Sequence, residues 1–172
     1  MIYYVCTKER EVNEMKKINE RKIYFDMDGT IADLYGQENW LYDLRHEIVT
    51  PYVKAEPLYD MAKLNAILEM LKAFGFSIGV ITWGSMDASA EYNKAVRKAK
   101  KTWIADNLPV CSEFHYQKYG IPKHKAAYQN IKINKDILID DNEEVRKMLI
   151  AKGGIAINPT ENLFTELAKL IA

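Results

Sequence analysis

The sequence predicts a three-layer α/β fold, a parallel sheet of about five strands with helices on both faces. Three observations predict it. Short apolar runs at 22–25, 76–81, 113–119, 136–139 and 155–157 alternate with segments whose apolar residues recur at helical spacing, the pattern of consecutive βαβ units. Several of these runs end abruptly in polar residues, at the strand ends where open parallel sheets gather ligands. At 172 residues the chain suits one domain that buries roughly 70% of its unfolded surface.

The elements follow in chain order. Residues 1–21 combine a short apolar piece with a charged, helix-prone segment that lacks an apolar stripe, and are expected to be an N-terminal extension. The first strand, 22–25, runs into Asp26-Met27-Asp28-Gly29-Thr30. Residues 31–57 have no clean periodicity, carry Tyr35, Trp40, Tyr42 and Tyr52, allow a short helix over 39–47, and are punctuated by Pro51 and Pro57. Directly after the acidic strand end, this stretch is placed to lie over the crevice.

Met61, Leu64, Ile67, Leu68 and Leu71 then mark a helix with Asp60 as its N-cap and Gly75 just past its end. The second strand, 76–81, ends in Thr82-Trp83-Gly84-Ser85. A long helix over 87–107 turns Tyr92, Val96, Ala99 and Trp103 to one face and Lys94, Arg97, Lys98 and Lys101 to the other. After the third strand, Gly120-Ile121-Pro122 breaks the chain and starts a short helix bearing Lys123, His124 and Lys125. The strand at 136–139 ends in Asp140-Asp141, and a helix over 143–152 follows, with Gly153 at its end. A fifth strand and Asn158-Pro159-Thr160 lead to a last amphipathic helix bearing Leu163, Phe164, Leu167, Leu170 and Ile171.

Composition narrows the function. Twenty-four basic and 24 acidic side chains cancel, which argues against the broad positive field of a nonspecific nucleic-acid binder. Cys6 and Cys111 fit no zinc or redox spacing and read as ordinary thiols. No apolar run approaches the ~20 residues that span a bilayer, and residues 1–6 are too short for a signal-peptide core. A cytoplasmic protein with no membrane partner is expected.

Three strand ends carry chemistry: Asp26 with Asp28, Thr82, and Asp140 with Asp141. Four carboxylates converging in one crevice repel unless a cation sits among them, and an all-oxygen set suits hard Mg²⁺. A metal, a hydroxyl and a lysine around a nucleophilic carboxylate make a site shaped for a transferring phosphoryl group. In extended chain, residues two apart point to one side, so Asp26 and Asp28 address one substrate together. Asp33 reads as a turn cap, and His46, His115 and His124 as surface or packing residues.

Asp26-Met27-Asp28-Gly29-Thr30 resembles the first motif of the haloacid dehalogenase (HAD) superfamily of phosphohydrolases. Thr82 after Val80-Ile81 is similar to the second motif, a lysine at 123–125 to the third, and Ile139-Asp140-Asp141 to the fourth. The resemblance covers 22 to about 160 and implies a Rossmann-like HAD domain over 22–172, with 31–57 as a small cap segment. It implies Asp26 as nucleophile, Asp28 as general acid and base, and Gly29 and Thr82 at the phosphoryl group. Mg²⁺ would be held by Asp26, the Asp28 carbonyl, Asp140 and Asp141. Lys123, at the helix start, is preferred as the phosphate-binding lysine over Lys125 and then Lys118.

Asp26-Met-Asp-Gly and Leu138-Ile-Asp-Asp141 are also similar to the 5′(3′)-deoxyribonucleotidase branch, and Tyr35, Trp40 and Trp83 are suited to stacking a base. The expected activity is a Mg²⁺-dependent phosphomonoesterase acting through an aspartyl-phosphate on a small substrate, a nucleotide. Two alternatives stand beside it: a phosphatase of polynucleotide or protein phosphate ends using the 94–101 basic face, and a non-catalytic binding module of the same fold.

Overall fold

The computed structural model describes residues 21–126, 135–159 and 162–171. The expected extension, apart from Arg21, lies outside the described residues, as do Cys6, Thr160 and the Lys125 side chain.

Five strands form one parallel sheet: β1 (Arg21–Phe25), β4 (Phe76–Trp83), β5 (Glu113–Gln117), β6 (Ile137–Ile139) and β7 (Ile155–Ile157). Their order is β5-β4-β1-β6-β7, with every pairing parallel. The first strand is therefore central. Chain order reverses direction across it, so its carboxyl end opens at the switch point where such sheets bind ligands.

Alternation along β1 sorts the two faces. Ile23 and Phe25 join Ile78, Val80, Ile137 and Ile139 in the larger core. That core is covered by Leu64, Leu68 and Leu71 of α3 (Met61–Ala73), Trp103 and Ile104 of α4 (Ala90–Asn107), and Leu163 and Leu167 of α7 (Leu163–Ala168). Tyr24 faces the other way, with Ile81, Leu138 and two side chains of α6 (Glu143–Ile150), Val145 and Leu149. Gly79 stands opposite Tyr24 in register, and a Cβ there would lie 2.7 Å from the Tyr24 ring. Gly79 therefore makes room for that ring.

The helix boundaries follow from caps. The Asp60 carboxylate accepts from the Lys63 N–H at 3.0 Å, and Gly75 takes a φ of 92° past the end of α3. The long helix starts at Ala90 rather than at 87, because the Ser89 hydroxyl accepts from the Tyr92 N–H at 3.1 Å and Asp87 sits at φ 51° in the preceding turn. Asn142 caps α6. The last helix is entered through Asn162 at φ 75°, not through Asn158-Pro159, and ends at Ala168. β5 stops at Gln117, two residues short of expectation.

Residues 31–57 hold more regular structure than their patterning suggests. Helices α1 (Trp40–Arg45) and α2 (Thr50–Lys54) lie between β2 (Ala32–Asp33) and β3 (Glu56–Pro57), which pair antiparallel. Leu34 and Tyr52 pack with Tyr92 and Val96 of α4. Polar ties hold the same junction. Glu47 accepts from the Ser89 N–H at 2.6 Å and hydroxyl at 2.7 Å, the Tyr92 hydroxyl donates to the Ile48 carbonyl, and the Trp103 indole donates to the Ala55 carbonyl. Among the described residues no helix is long and apolar enough to cross a membrane.

Candidate active site

The ladder between β1 and β6 extends one residue past the strands, with the Asp26 N–H donating to the Ile139 carbonyl at 2.8 Å. This places Asp26 beside Asp140. Asp26, Asp140 and Asp141 each offer an oxygen within 4.8 Å of the others'. Lys123, the first residue of α5 (Lys123–Ala126), reaches into the group and donates to Asp26 Oδ1 and Asp140 Oδ2, both at 2.7 Å. Lys123 is 1% exposed and Asp140 fully buried. Its Nζ also lies 4.6 Å from the Trp83 ring centroid. Lys118 is exposed on the chain leading to α5.

Each acid is held by its neighbours. The Asp141 N–H donates to Thr30 Oγ1 at 3.0 Å, and the Thr30 hydroxyl donates back to Asp141 Oδ1 at 2.9 Å. The Asn142 N–H donates to Asp140 Oδ1. Arg146 Nη1 donates to the carbonyls of Asp140 and Asp141, both at 2.7 Å, and so fixes the backbone of the acidic pair. Gly29 turns at φ 77°, and a Cβ there would lie 2.6 Å from the Tyr35 ring and 2.7 Å from Asp141 Oδ2. Gly29 thus permits the close approach of the two acidic loops.

Asp28 faces a different cation. Its Oδ2 accepts a short hydrogen bond from the Lys100 ammonium, which also donates to Thr82 Oγ1 at 2.8 Å and the Trp83 carbonyl at 2.7 Å. Lys100 has no exposed surface. The spacing of α4 carries its signal, since Lys100 is four residues after Val96 and three before Trp103, on the buried stripe. Lys94, Arg97, Lys98 and Lys101 are exposed, as expected.

Burial first, and anionic crowding second, raise three of these acids. Burial and the neighbouring Asp26 charge push Asp140 up to about 7, against the pull of Lys123. Asp141 is raised for the same two reasons. Asp28 is raised by burial, with Lys100 opposing and Asp26 adding to it. Burial disfavours the Lys123 ammonium, but Asp26 and Asp140 outweigh it and raise its pKa. Four carboxylates thus face two ammonium groups. This excess of hard oxygen donors fits a divalent cation such as Mg²⁺.

A cavity of about 340 Å³ opens onto this cluster, with Asp26, Asp28, Lys123 and Asp141 in its lining. Two aromatic pairs line it as well, Tyr35 with Trp40 at 5.0 Å between centroids and Trp83 with Tyr119 at 5.3 Å. Arg45 adds a cation. Thr82 and Gly29 are not in the lining; Thr82 is fully buried behind Asp28 with its oxygen engaged by Lys100.

The residues set aside in the sequence take structural roles. Asp33 accepts from the Gly36 N–H at 2.8 Å, a turn cap. His46 stacks on Tyr42, and His115 lies 3.2 Å from Glu113. Neither belongs to the carboxylate cluster. Lys100, Thr30 as the clamp on Asp141, Arg146, Tyr119 and Arg45 are the site residues that sequence reasoning passed over. Comparison with known proteins adds no identity: no protein-family model matches the chain, and no curated protein matches it.

Proposed function

We propose that this chain is a Mg²⁺-dependent phosphomonoesterase of the HAD type that works through an aspartyl-phosphate on Asp26. The observation that carries the reading is the Asp26 carboxylate in the lining of an aromatic cavity, paired to Lys123 at 2.7 Å and grouped with Asp140 and Asp141 at the carboxyl ends of neighbouring parallel strands. A buried cluster with more carboxylates than ammonium partners is costly unless it serves a ligand.

In this reading an Asp26 oxygen attacks phosphorus while the bond to the leaving oxygen breaks, and the Asp28 carboxyl supplies that oxygen's proton. The Asp28 carboxylate then takes a proton from water as the water oxygen attacks phosphorus. The bond from phosphorus to Asp26 breaks, which frees phosphate and restores both acids. The raised Asp28 pKa supports the donor role. Lys123 neutralises charge beside the nucleophile. Mg²⁺, held by Asp26, Asp140, Asp141 and the Asp28 carbonyl, would supply further charge neutralisation for the phosphoryl oxygens.

The substrate we assign is a nucleotide, for which the small cap segment 31–57 supplies Tyr35, Trp40 and Arg45 to a cavity of suitable size. Phosphate ends of polymers are less well supported, because the exposed basic residues of α4 do not line that cavity. A panel of nucleoside and sugar monophosphates with and without Mg²⁺ tests the reading. Mg²⁺-dependent phosphate release, fastest with nucleotides and absent in Asp26→Asn, is expected. Release from none of them, or equal release by Asp26→Asn, overturns it.

A further inference from the structure

We infer that Lys100 is a positioning residue that, anchored on Thr82 and the Trp83 carbonyl, aims the Asp28 carboxyl for phosphoryl transfer; this rests on the phosphatase reading above. An ammonium has three N–H donors and no acceptor. All three of Lys100's are committed, to Asp28 Oδ2, Thr82 Oγ1 and the Trp83 carbonyl. None is left for a substrate oxygen, which separates its task from that of Lys123.

The three acceptors fix the ammonium and, through it, one another. Asp28 sits on the loop after β1, while Thr82 and Trp83 are the last two residues of β4. Lys100 joins the two strand ends from the middle of α4 and has no access to solvent. The Tyr52 ring, whose centroid is 5.0 Å from Nζ, closes the remaining side. The Thr82 hydroxyl accepts from Lys100 and itself points to the Trp83 carbonyl at 3.5 Å, so it anchors the ammonium from the end of β4. With Oδ2 engaged, Oδ1 is the oxygen left for proton exchange, and Asp28 lines the cavity. A burial this complete has no purpose in a solvated helix face, and the same helix shows four other basic residues at the surface.

A role in aiming the general acid differs from a role in holding the fold through its dependence on the leaving group. A nucleoside alkoxide needs a proton as it departs, whereas p-nitrophenolate does not. The full-length parent, Lys100→Met and Lys100→Arg are compared in Mg²⁺ by kcat/KM, which reports the phosphorylation step. The substrates are p-nitrophenyl phosphate and the nucleoside monophosphate on which the parent is fastest, and thermal unfolding is recorded in parallel. Lys100→Met is expected to lose about 100-fold on the nucleotide and less than about 10-fold on the aryl phosphate. Lys100→Arg keeps the charge but replaces the compact ammonium by a planar fork. It is expected to show the same selectivity with a smaller loss, and it decides the matter if Lys100→Met does not fold. Equal losses on the two substrates, or no loss, overturn the inference and leave the phosphatase reading standing. A parent inactive on both substrates overturns both.

Discussion

Replacing Lys123 by methionine removes an ammonium that touches both Asp26 and Asp140. Its Nζ lies 2.7 Å from an oxygen of each, and the side chain is 1% exposed. Without it, carboxylate oxygens within 4.8 Å of one another face each other uncompensated. At an effective dielectric near 20, that repulsion is about 3 kcal/mol. Removing one partner of a buried pair costs on the order of 3–5 kcal/mol, so a loss of that size is expected in EDTA. Urea unfolding followed by circular dichroism measures it. Saturating Mg²⁺ should return most of the loss, because a bound cation neutralises the same oxygens. Lys123→Met/Asp140→Asn should recover about 3 kcal/mol in EDTA, since one of the facing charges is gone. Turnover should fall at least about 100-fold even with Mg²⁺ present. An unchanged urea midpoint in EDTA, or a loss that neither Mg²⁺ nor the second substitution relieves, would refute the charge argument.

Further outcomes follow from the same geometry. Asp140 is raised to about 7 from its ordinary value of 3.8, so the folded protein binds a proton that the unfolded chain releases. In EDTA, stability should therefore decline as pH rises from about 4 to 7, and Asp140→Asn should flatten the upper part of that decline in urea titrations at several pH values. Thr30→Val removes both hydrogen bonds between Thr30 and Asp141 and should weaken Mg²⁺ affinity about 10- to 100-fold by isothermal calorimetry, with little change in fold. Trp83→Ala removes a ring from the cavity wall and should raise KM for nucleotides several-fold more than for a small alkyl phosphate, by steady-state kinetics.

Much of this was written in local patterns. The strand at 22–25 and the helix bounded by Asp60 and Gly75 are specified by alternation, periodicity and caps that act within a few residues. The convergence of Asp26, Asp140 and Lys123 was legible because parallel topology sends successive strand ends to one edge. Lys100 was harder, since a lysine beside Arg97, Lys98 and Lys101 reads as part of a solvated face. Its fit to the buried stripe of Val96 and Trp103 was the available signal. The ribbon of Ala32–Asp33 with Glu56–Pro57 left no trace, because two-residue strands are too short to show alternation. The start of α4 at Ala90 depends on the Ser89 hydroxyl rather than on the acid two residues earlier, Asp87. The roles of Thr30 and Arg146 arise from partners distant in sequence or on backbone carbonyls, which composition does not mark.

The proposed mechanism passes through a covalent phosphoryl group on Asp26. Asp28→Asn, mixed with Mg²⁺ and p-nitrophenyl phosphate, whose leaving group departs without a proton, should accumulate the acyl-phosphate because its hydrolysis lacks a base. Rapid quenching into borohydride reduces an acyl-phosphate to the alcohol, and peptide mass spectrometry reads where. Homoserine is expected at position 26, dependent on both substrate and Mg²⁺. Homoserine at 140 or 141 instead, or phosphate release by the parent with no adduct trapped on any aspartate, would contradict it.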